Sequence, residues 1–269
     1  MTSIEMIGRL VAFDTTSRES NLALIDFVRD YLDVWHIKSE LVFDATGRKA
    51  NLFATIGPSD IGGVMLSGHS DVVPVDGQDW ASDPFKLEPR DGKLYARGSA
   101  DMKSFIAVML AKVPEFVSRA LAVPIHLALT YDEEVGCLGV RSLIDALASR
   151  AVKPRLCIIG EPTLMKPVVA HKGSRRLRCH VRGHEAHSSL THQGVNAIEA
   201  AAAVVTHING IARKKRASGP FDLAFDPPYT TLQTGLIAGG TAVNIVPNEC
   251  RFDFEMRHLP NDDPDVIVD

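Results

Sequence analysis

Three apolar runs in this chain each end on a side chain that can hold a metal ion, and helix-like stretches separate them. GVMLSGHSD (63–71) ends at His69 and Asp71, PIHLALTYDEE (124–134) at Glu133 and Glu134, and LCIIGE (156–161) at Glu161. The middle run is mostly apolar, as a strand buried on both faces is, and the run before Glu161 reads as another buried strand. Residues 101–118 and 138–148 carry helical patterning between the runs. Strand alternating with helix predicts an open, mostly parallel α/β sheet with helices on both sides. Such sheets gather ligands beyond the carboxyl ends of their strands, where these acids and this histidine fall.

Flanking elements complete the expectation. A first helix, capped by Ser3, has Ile4, Ile7, Leu10 and Val11 on one face, and a second begins near Asn21. Strands follow at 36–43, 51–57 and 63–70, and LEPRDGKLY reads as a small hairpin turning at Asp91-Gly92. The pattern then changes. RRLRCHVRG (175–183) alternates as a half-solvated strand, 194–212 is an amphipathic helix, and strands follow at 229–238 and 250–257. This β-α-β-β-(α) order predicts an α+β, ferredoxin-like unit with an antiparallel sheet. The expected division is 1–173 and 174–269.

Bulk properties exclude several classes. A net charge of -4 argues against nucleic acid as the main partner. The basic run Arg213-Lys214-Lys215-Arg216 follows a helix and reads as favourable charge at its C-terminus. Four cysteines stand singly, with no C-x-x-C pair, which speaks against a disulfide framework or zinc ribbon and for a reduced, cytoplasmic setting. The N-terminus lacks a signal-peptide pattern, and no apolar run reaches membrane-spanning length, so no membrane association is expected.

Each candidate residue has an ordinary reading beside the functional one. His69 and Asp71 sit at i and i+2, on one side of an extended chain, so His69 can bind metal while Asp71 holds its other N–H. Alone, the pair is equally a polar loop. Asp101 follows Gly98-Ser99-Ala100 at a helix start and can be an N-cap or a metal-bridging carboxylate. Glu133 and Glu134 are adjacent acids whose repulsion is relieved by a cation or a proton. They are either a solvated turn or a metal ligand beside a general base. One histidine with several carboxylates suits a divalent metal that activates water.

Together these segments resemble a known family. SGHSDVVP, the Asp83-Pro84-Phe85 segment, YARGSADMK, DEEVG and GEPT are similar to the motifs of the zinc-dependent deacylase and aminopeptidase family. That family includes acetylornithine deacetylases, succinyl-diaminopimelate desuccinylases, aminoacylases and glutamate-releasing carboxypeptidases. GEPT followed by AHKG, GHEAHSS and GVNAIEA is most similar to the acetylornithine deacetylase branch. The resemblance implies two zinc ions per site, with cobalt or manganese as alternatives. His69 and Glu161 bind one ion, Asp101 bridges both, and Glu134 binds the second. Glu133 is implied as general base and Asp71 as the residue orienting His69. The resemblance also implies a cis peptide between Asp101 and Met102. The 174–269 unit is implied to be an inserted lid and dimerisation domain, making the protein a homodimer. The resemblance further implies that His187 stabilises the oxyanion there, while Asn244 and Arg257 grip the substrate, an N-acyl amino acid such as N2-acetyl-L-ornithine, in arginine biosynthesis.

One departure is visible. The family's pattern supplies a last histidine to the second zinc after the inserted domain, and nothing following Arg257 matches it. A C-terminally truncated member, with a weak second zinc and low or no turnover by this polypeptide alone, is therefore expected. Two other readings compete: succinyl-diaminopimelate or another acyl amino acid as substrate, and an inactive member that serves only as a binding module.

Overall fold

A computed structural model of the chain describes residues 1–268. They form two compact units, one of residues 1–166 and one beginning at Pro167.

The first unit opens with α1 (Ser3–Val11) and α2 (Leu22–Asp33). The cap of α1 is Thr2, not Ser3. Its hydroxyl accepts the Glu5 N–H at 3.3 Å, and the Glu5 carboxylate accepts the Thr2 N–H at 2.8 Å. This reciprocal capping box satisfies two backbone donors that the first helical turn leaves free. Next come β1 (Ser39–Phe43), β2 (Ala50–Ile56), β3 (Val64–His69) and the hairpin β4 (Glu88–Arg90) and β5 (Lys93–Tyr95). The hairpin turns at Asp91 and Gly92, whose φ values of 50° and 71° suit a tight two-residue loop. Then follow α3 (Lys103–Ser118), β6 (Ile125–Thr130), α4 (Val140–Ala148) and β7 (Leu156–Ile159).

The main sheet has the order β1-β2-β6-β3-β7. The α/β architecture is as expected, but the sheet is mixed. β3 runs parallel to both β6 and β7, while the β1–β2 and β2–β6 pairings are antiparallel. Alternation along the strands splits the core between the two faces. Leu52 and Leu127 pack with Met6, Leu10, Ile25, Leu32, Ile106 and Leu110 of α1–α3, whereas Phe53 and Ala128 pack with Leu143 of α4. The β6 strand is buried almost throughout, as its apolar sequence requires. β7 differs from the expected buried strand. It lies at the sheet edge, and Leu156, Ile158 and Ile159 are about half exposed.

The second unit contains β8 (Gly173–Arg182), a 3-10 turn at Ser188–Gln193, α5 (Ala197–Ser218), β9 (Thr231–Gly239), β10 (Glu249–His258) and α6 (Pro264–Val268). Its antiparallel sheet has the order β8-β10-β9. One face packs on α5 through Ala197, Ala201, Ile208, Leu232, Phe252 and Met256. On the other face Arg178 forms two 2.7 Å bonds to Asp253 of the neighbouring strand. Asn196 caps α5, accepting from the Ile198 and Glu199 N–H groups. The basic run falls inside the last turns of α5, and Lys215 has a particular task. Buried Asp262 accepts from Lys215 Nζ at 2.6 Å and from Thr230 Oγ1 at 2.5 Å, tying the end of α5 to the turn after β10. Asp262→Ala is expected to destabilise this unit by about 2 kcal/mol, because it leaves the partly buried Lys215 ammonium and the buried Thr230 hydroxyl without their acceptor. Denaturant unfolding of the variant checks this, and a loss below about 0.5 kcal/mol, the usual size of a surface substitution, would contradict it.

Among the described residues, no helix is long and apolar enough to cross a membrane.

Candidate metal centre

The strand order builds this site. β3 lies between β6 and β7 and is parallel to both, so the three carboxyl ends emerge side by side. His69 ends β3 opposite Thr130 of β6. The turn after β6 carries Glu133 and Glu134. The Gly160 N–H bonds Ser67 O at 3.1 Å, which extends the β7 pairing to the residue before Glu161. Two glycines permit close packing here. A Cβ on Gly68 would stand 2.9 Å from Ile106 and 3.2 Å from Met102, so the start of α3 can press against β3. A Cβ on Gly160 would overlap the Phe105 ring. Both contacts bring α3, and with it Asp101, to the strand ends.

Asp101 is not the helix cap. Met102 occupies that position without a side-chain bond, and the Asp101–Met102 peptide is cis. The Asp101 carboxylate instead lies 2.9 Å from His69 Nε2. Glu161 Oε1 is 3.8 Å and Glu133 Oε2 3.9 Å from the same nitrogen. His69, Asp101 and Glu161 can each offer one ligand atom, all within 4.8 Å of one another. Glu134 lies outside this group. Its neighbourhood shows in its acidity: burial, then Asp101, pushes the Glu134 carboxyl above the usual range. Burial does the same to Glu161, with Asp101 and Glu133 adding to it and His69 opposing.

His69 is almost fully buried. Burial pulls its pKa down toward the neutral ring, but the surrounding carboxylates, Asp71 first, outweigh this and raise its pKa to about 9. Its Nδ1 lies 2.9 Å from the backbone carbonyl of Asp71 and 3.5 Å from the carboxylate. The carbonyl, rather than the Asp71 side chain, is therefore the nearer partner of the ring. The Asp71 carboxylate also braces the surroundings. It accepts from Ser17 Oγ at 2.8 Å and from the Glu133 and Glu134 N–H groups at 3.1 Å and 3.3 Å. Burial works against its charge, yet the bonds from His69, Ser17 and Glu133 hold its carboxyl below the usual carboxylate range.

A divalent ion suits this donor set. Carboxylates crowd one imidazole, two of them are held reluctant to ionise, and the histidine nitrogen facing them is the one not anchored to the backbone. One nitrogen with several oxygens is the ligand mixture of zinc and similar metals.

His187, Asn244 and Arg257 lie in the second unit. There the Ser188 N–H bonds Asn244 O at 3.0 Å and His187 bridges Ile245, so His187 and Asn244 share one loop pair. The His187 ring bonds Ser189 Oγ at 2.8 Å. Arg257 stands apart on β10, paired with Glu255 at 2.8 Å.

Sequence reasoning missed the supporting residues. Thr15 Oγ1 donates to Ser70 O at 2.5 Å, and Asn21 bonds both Ala50 and Ser70 Oγ. Lys103, fully buried, donates to Phe13 O at 2.7 Å. Burial lowers its pKa to about 8, with Asp14 and Asp71 opposing. No local spacing announces such contacts, because their partners are distant in sequence.

Comparison with known proteins agrees with this geometry. The profile of peptidase family M20/M25/M40 matches residues 65–253. An acetylornithine deacetylase of Myxococcus xanthus is 39% identical over 97% of this chain and 68% of its own length. The acetylornithine deacetylase of Pasteurella multocida is 36% identical over 96% of this chain and 68% of its own. This chain thus spans about two thirds of the relatives it matches. The fold is similar to that of an M20 family metallo-carboxypeptidase from Sulfolobus solfataricus, with a TM-score of 0.78 at 18% identity, covering 99% of this chain and 73% of that one. With its matched segment running through every strand end of the metal-type cluster, the chain belongs to peptidase family M20/M25/M40.

Proposed function

We propose that this chain carries the centre of a zinc-dependent hydrolase of N-acyl amino acids. Its leading substrate is N2-acetyl-L-ornithine, cleaved to L-ornithine and acetate in cytoplasmic arginine biosynthesis. The observation that carries this reading is the convergence of Asp101, Glu161 and Glu133 on His69 Nε2. The two acetylornithine deacetylases supply the substrate class.

In this reading His69, Asp101 and Glu161 would hold one ion, and Asp101 with Glu134 a second. A bound zinc ion would supply a water of pKa lowered toward about 7 and polarisation of the amide carbonyl. Glu133 takes a proton from the attacking water and delivers it to the departing amine nitrogen. The amide C–N bond breaks, leaving a carboxylate and an amine. Asp71 keeps the Glu133–Glu134 turn against the histidine. For the second unit we propose the lid and homodimer role, with His187 donating to the oxyanion and Asn244 holding the substrate. Arg257 then exchanges Glu255 for the substrate carboxylate, a pairing its planar fork suits.

The test begins with zinc and cobalt titration. The wild-type protein is expected to bind, and His69→Ala, Asp101→Ala and Glu161→Ala to lose that binding. Amine release from acetylornithine, succinyl-diaminopimelate and other acyl amino acids then ranks the substrates. A wild-type protein that binds no divalent ion would end the hydrolase reading and favour a binding module.

A further inference from the structure

The turn after β6 carries the acids of the site, yet its own bonding is thin. Asp132 and Cys137 have φ values of 55° and 54°, and Gly136 has 111°. A side chain seldom adopts such backbone without support from outside the turn. Within the turn the bonds are short-range, from Gly136 and Cys137 to Glu133 O and from Leu138 to Asp132 O. Asn51 Nδ2 donates to Gly139 O at the far end of the turn, and two outside supports reach its acid-bearing end. One is the Asp71 carboxylate, which receives the Glu133 and Glu134 N–H groups. The other comes from Lys49, in the connection between β1 and β2. Its Nζ bonds Asp132 Oδ1 and Ser17 O, both at 2.5 Å. The Lys49 and Asp132 side chains are only 15% and 16% exposed, so water screens the pair poorly. Lys49 is itself anchored: its N–H donates to Asp44 Oδ1 at 3.0 Å, and its carbonyl accepts the Asp44 N–H at 2.9 Å. Ser17, whose carbonyl Lys49 holds, is the residue whose hydroxyl braces Asp71.

We propose that Lys49 is a positioning residue for the acid turn. Its ammonium clamps Asp132 to the loop that supports Asp71, and so fixes where Glu133 and Glu134 stand relative to His69. The clamp closes a ring: Lys49 to Asp132, along the chain to Glu133, to Asp71, to Ser17 and back to Lys49. Its catalytic meaning rests on the hydrolase reading above, but its mechanical meaning does not.

The experiment therefore has two arms, both comparing wild type, Lys49→Met and Lys49→Arg. Backbone amide hydrogen exchange is the first. In Lys49→Met the amides of residues 133–138 are expected to exchange about tenfold faster or more, with Leu127 and Leu129 of β6 unchanged and Lys49→Arg close to wild type. An unchanged turn, or equal acceleration across β6, would overturn the clamp. Steady-state kinetics of the metal-loaded protein is the second arm. Lys49→Met should lower kcat about tenfold to a hundredfold with KM within about twofold, since misplacement of the base affects the transition state more than binding. A raised KM with preserved kcat would overturn the positioning role. A wild-type protein that binds metal but hydrolyses no amide would sink the hydrolase reading alone, and the exchange arm still decides the clamp.

Discussion

Glu133→Gln is expected to lower metal-dependent amide hydrolysis by about 10²–10⁴-fold, the range in which a positioned general base operates. Glutamine keeps the shape and the backbone N–H that Asp71 accepts, but it cannot take a proton. The triad of His69, Asp101 and Glu161 does not include Glu133, so metal content should be unchanged. That pairing of intact metal and lost turnover separates a base from a ligand. Activity within threefold of wild type would remove Glu133 from the role, and parallel loss of metal would reassign it as a ligand.

The second large effect is on metal affinity and has a definite sign. In the metal-free fold His69 keeps its proton up to about pH 9, against 6.5 as the ordinary value. The stabilisation this gives the metal-free protein is complete below 6.5 and disappears as the pH rises through about 9. It amounts to about 3 kcal/mol at 1.36 kcal/mol per unit. A metal ion needs the neutral ring, so below about pH 9 it must displace that proton. The apparent affinity should therefore rise about tenfold per pH unit, close to a hundredfold from pH 6 to 8. The raised carboxyl of Glu161 steepens the acid end of this range. Competition with a chromophoric chelator measures the slope, and calorimetry in buffers of different ionisation enthalpy counts the released proton. An affinity that is flat between pH 6 and 8 would show that the carboxylates do not hold the imidazole charged.

The sequence made the chemistry of this site more legible than its scaffolding. Metal-type side chains at the ends of apolar runs pointed to His69, Glu133, Glu134 and Glu161 because strand polarity alone decides which end of a parallel sheet they share. Pairing direction was harder. β2 joins β6 antiparallel, and an apolar strand reads alike whichever way its neighbour runs. The exposed β7 was misjudged for a related reason: composition records apolar character, whereas burial depends on what lies alongside. Asp101 looked like a helix cap because caps and ligands use the same carboxylate, and only its 2.9 Å approach to His69 separates them. Ser17 and Lys49 carried no local signal at all, since a lysine beside a turn is ordinarily a solvated charge.

The placement of β3 between two parallel neighbours also bears on how the protein folds. Parallel strands cannot pair through a tight turn, so each crossover must be closed before its pairing is rewarded. His69 and Asp101 are 32 residues apart along the chain, and Asp71 and Glu133 are 62 apart. The donor set therefore comes together only after the slow, non-local steps of sheet assembly. No early intermediate holding one hairpin or one helix pair contains it. During refolding, metal capture should follow the slowest phase, which makes a bound ion a reporter that the central sheet is complete.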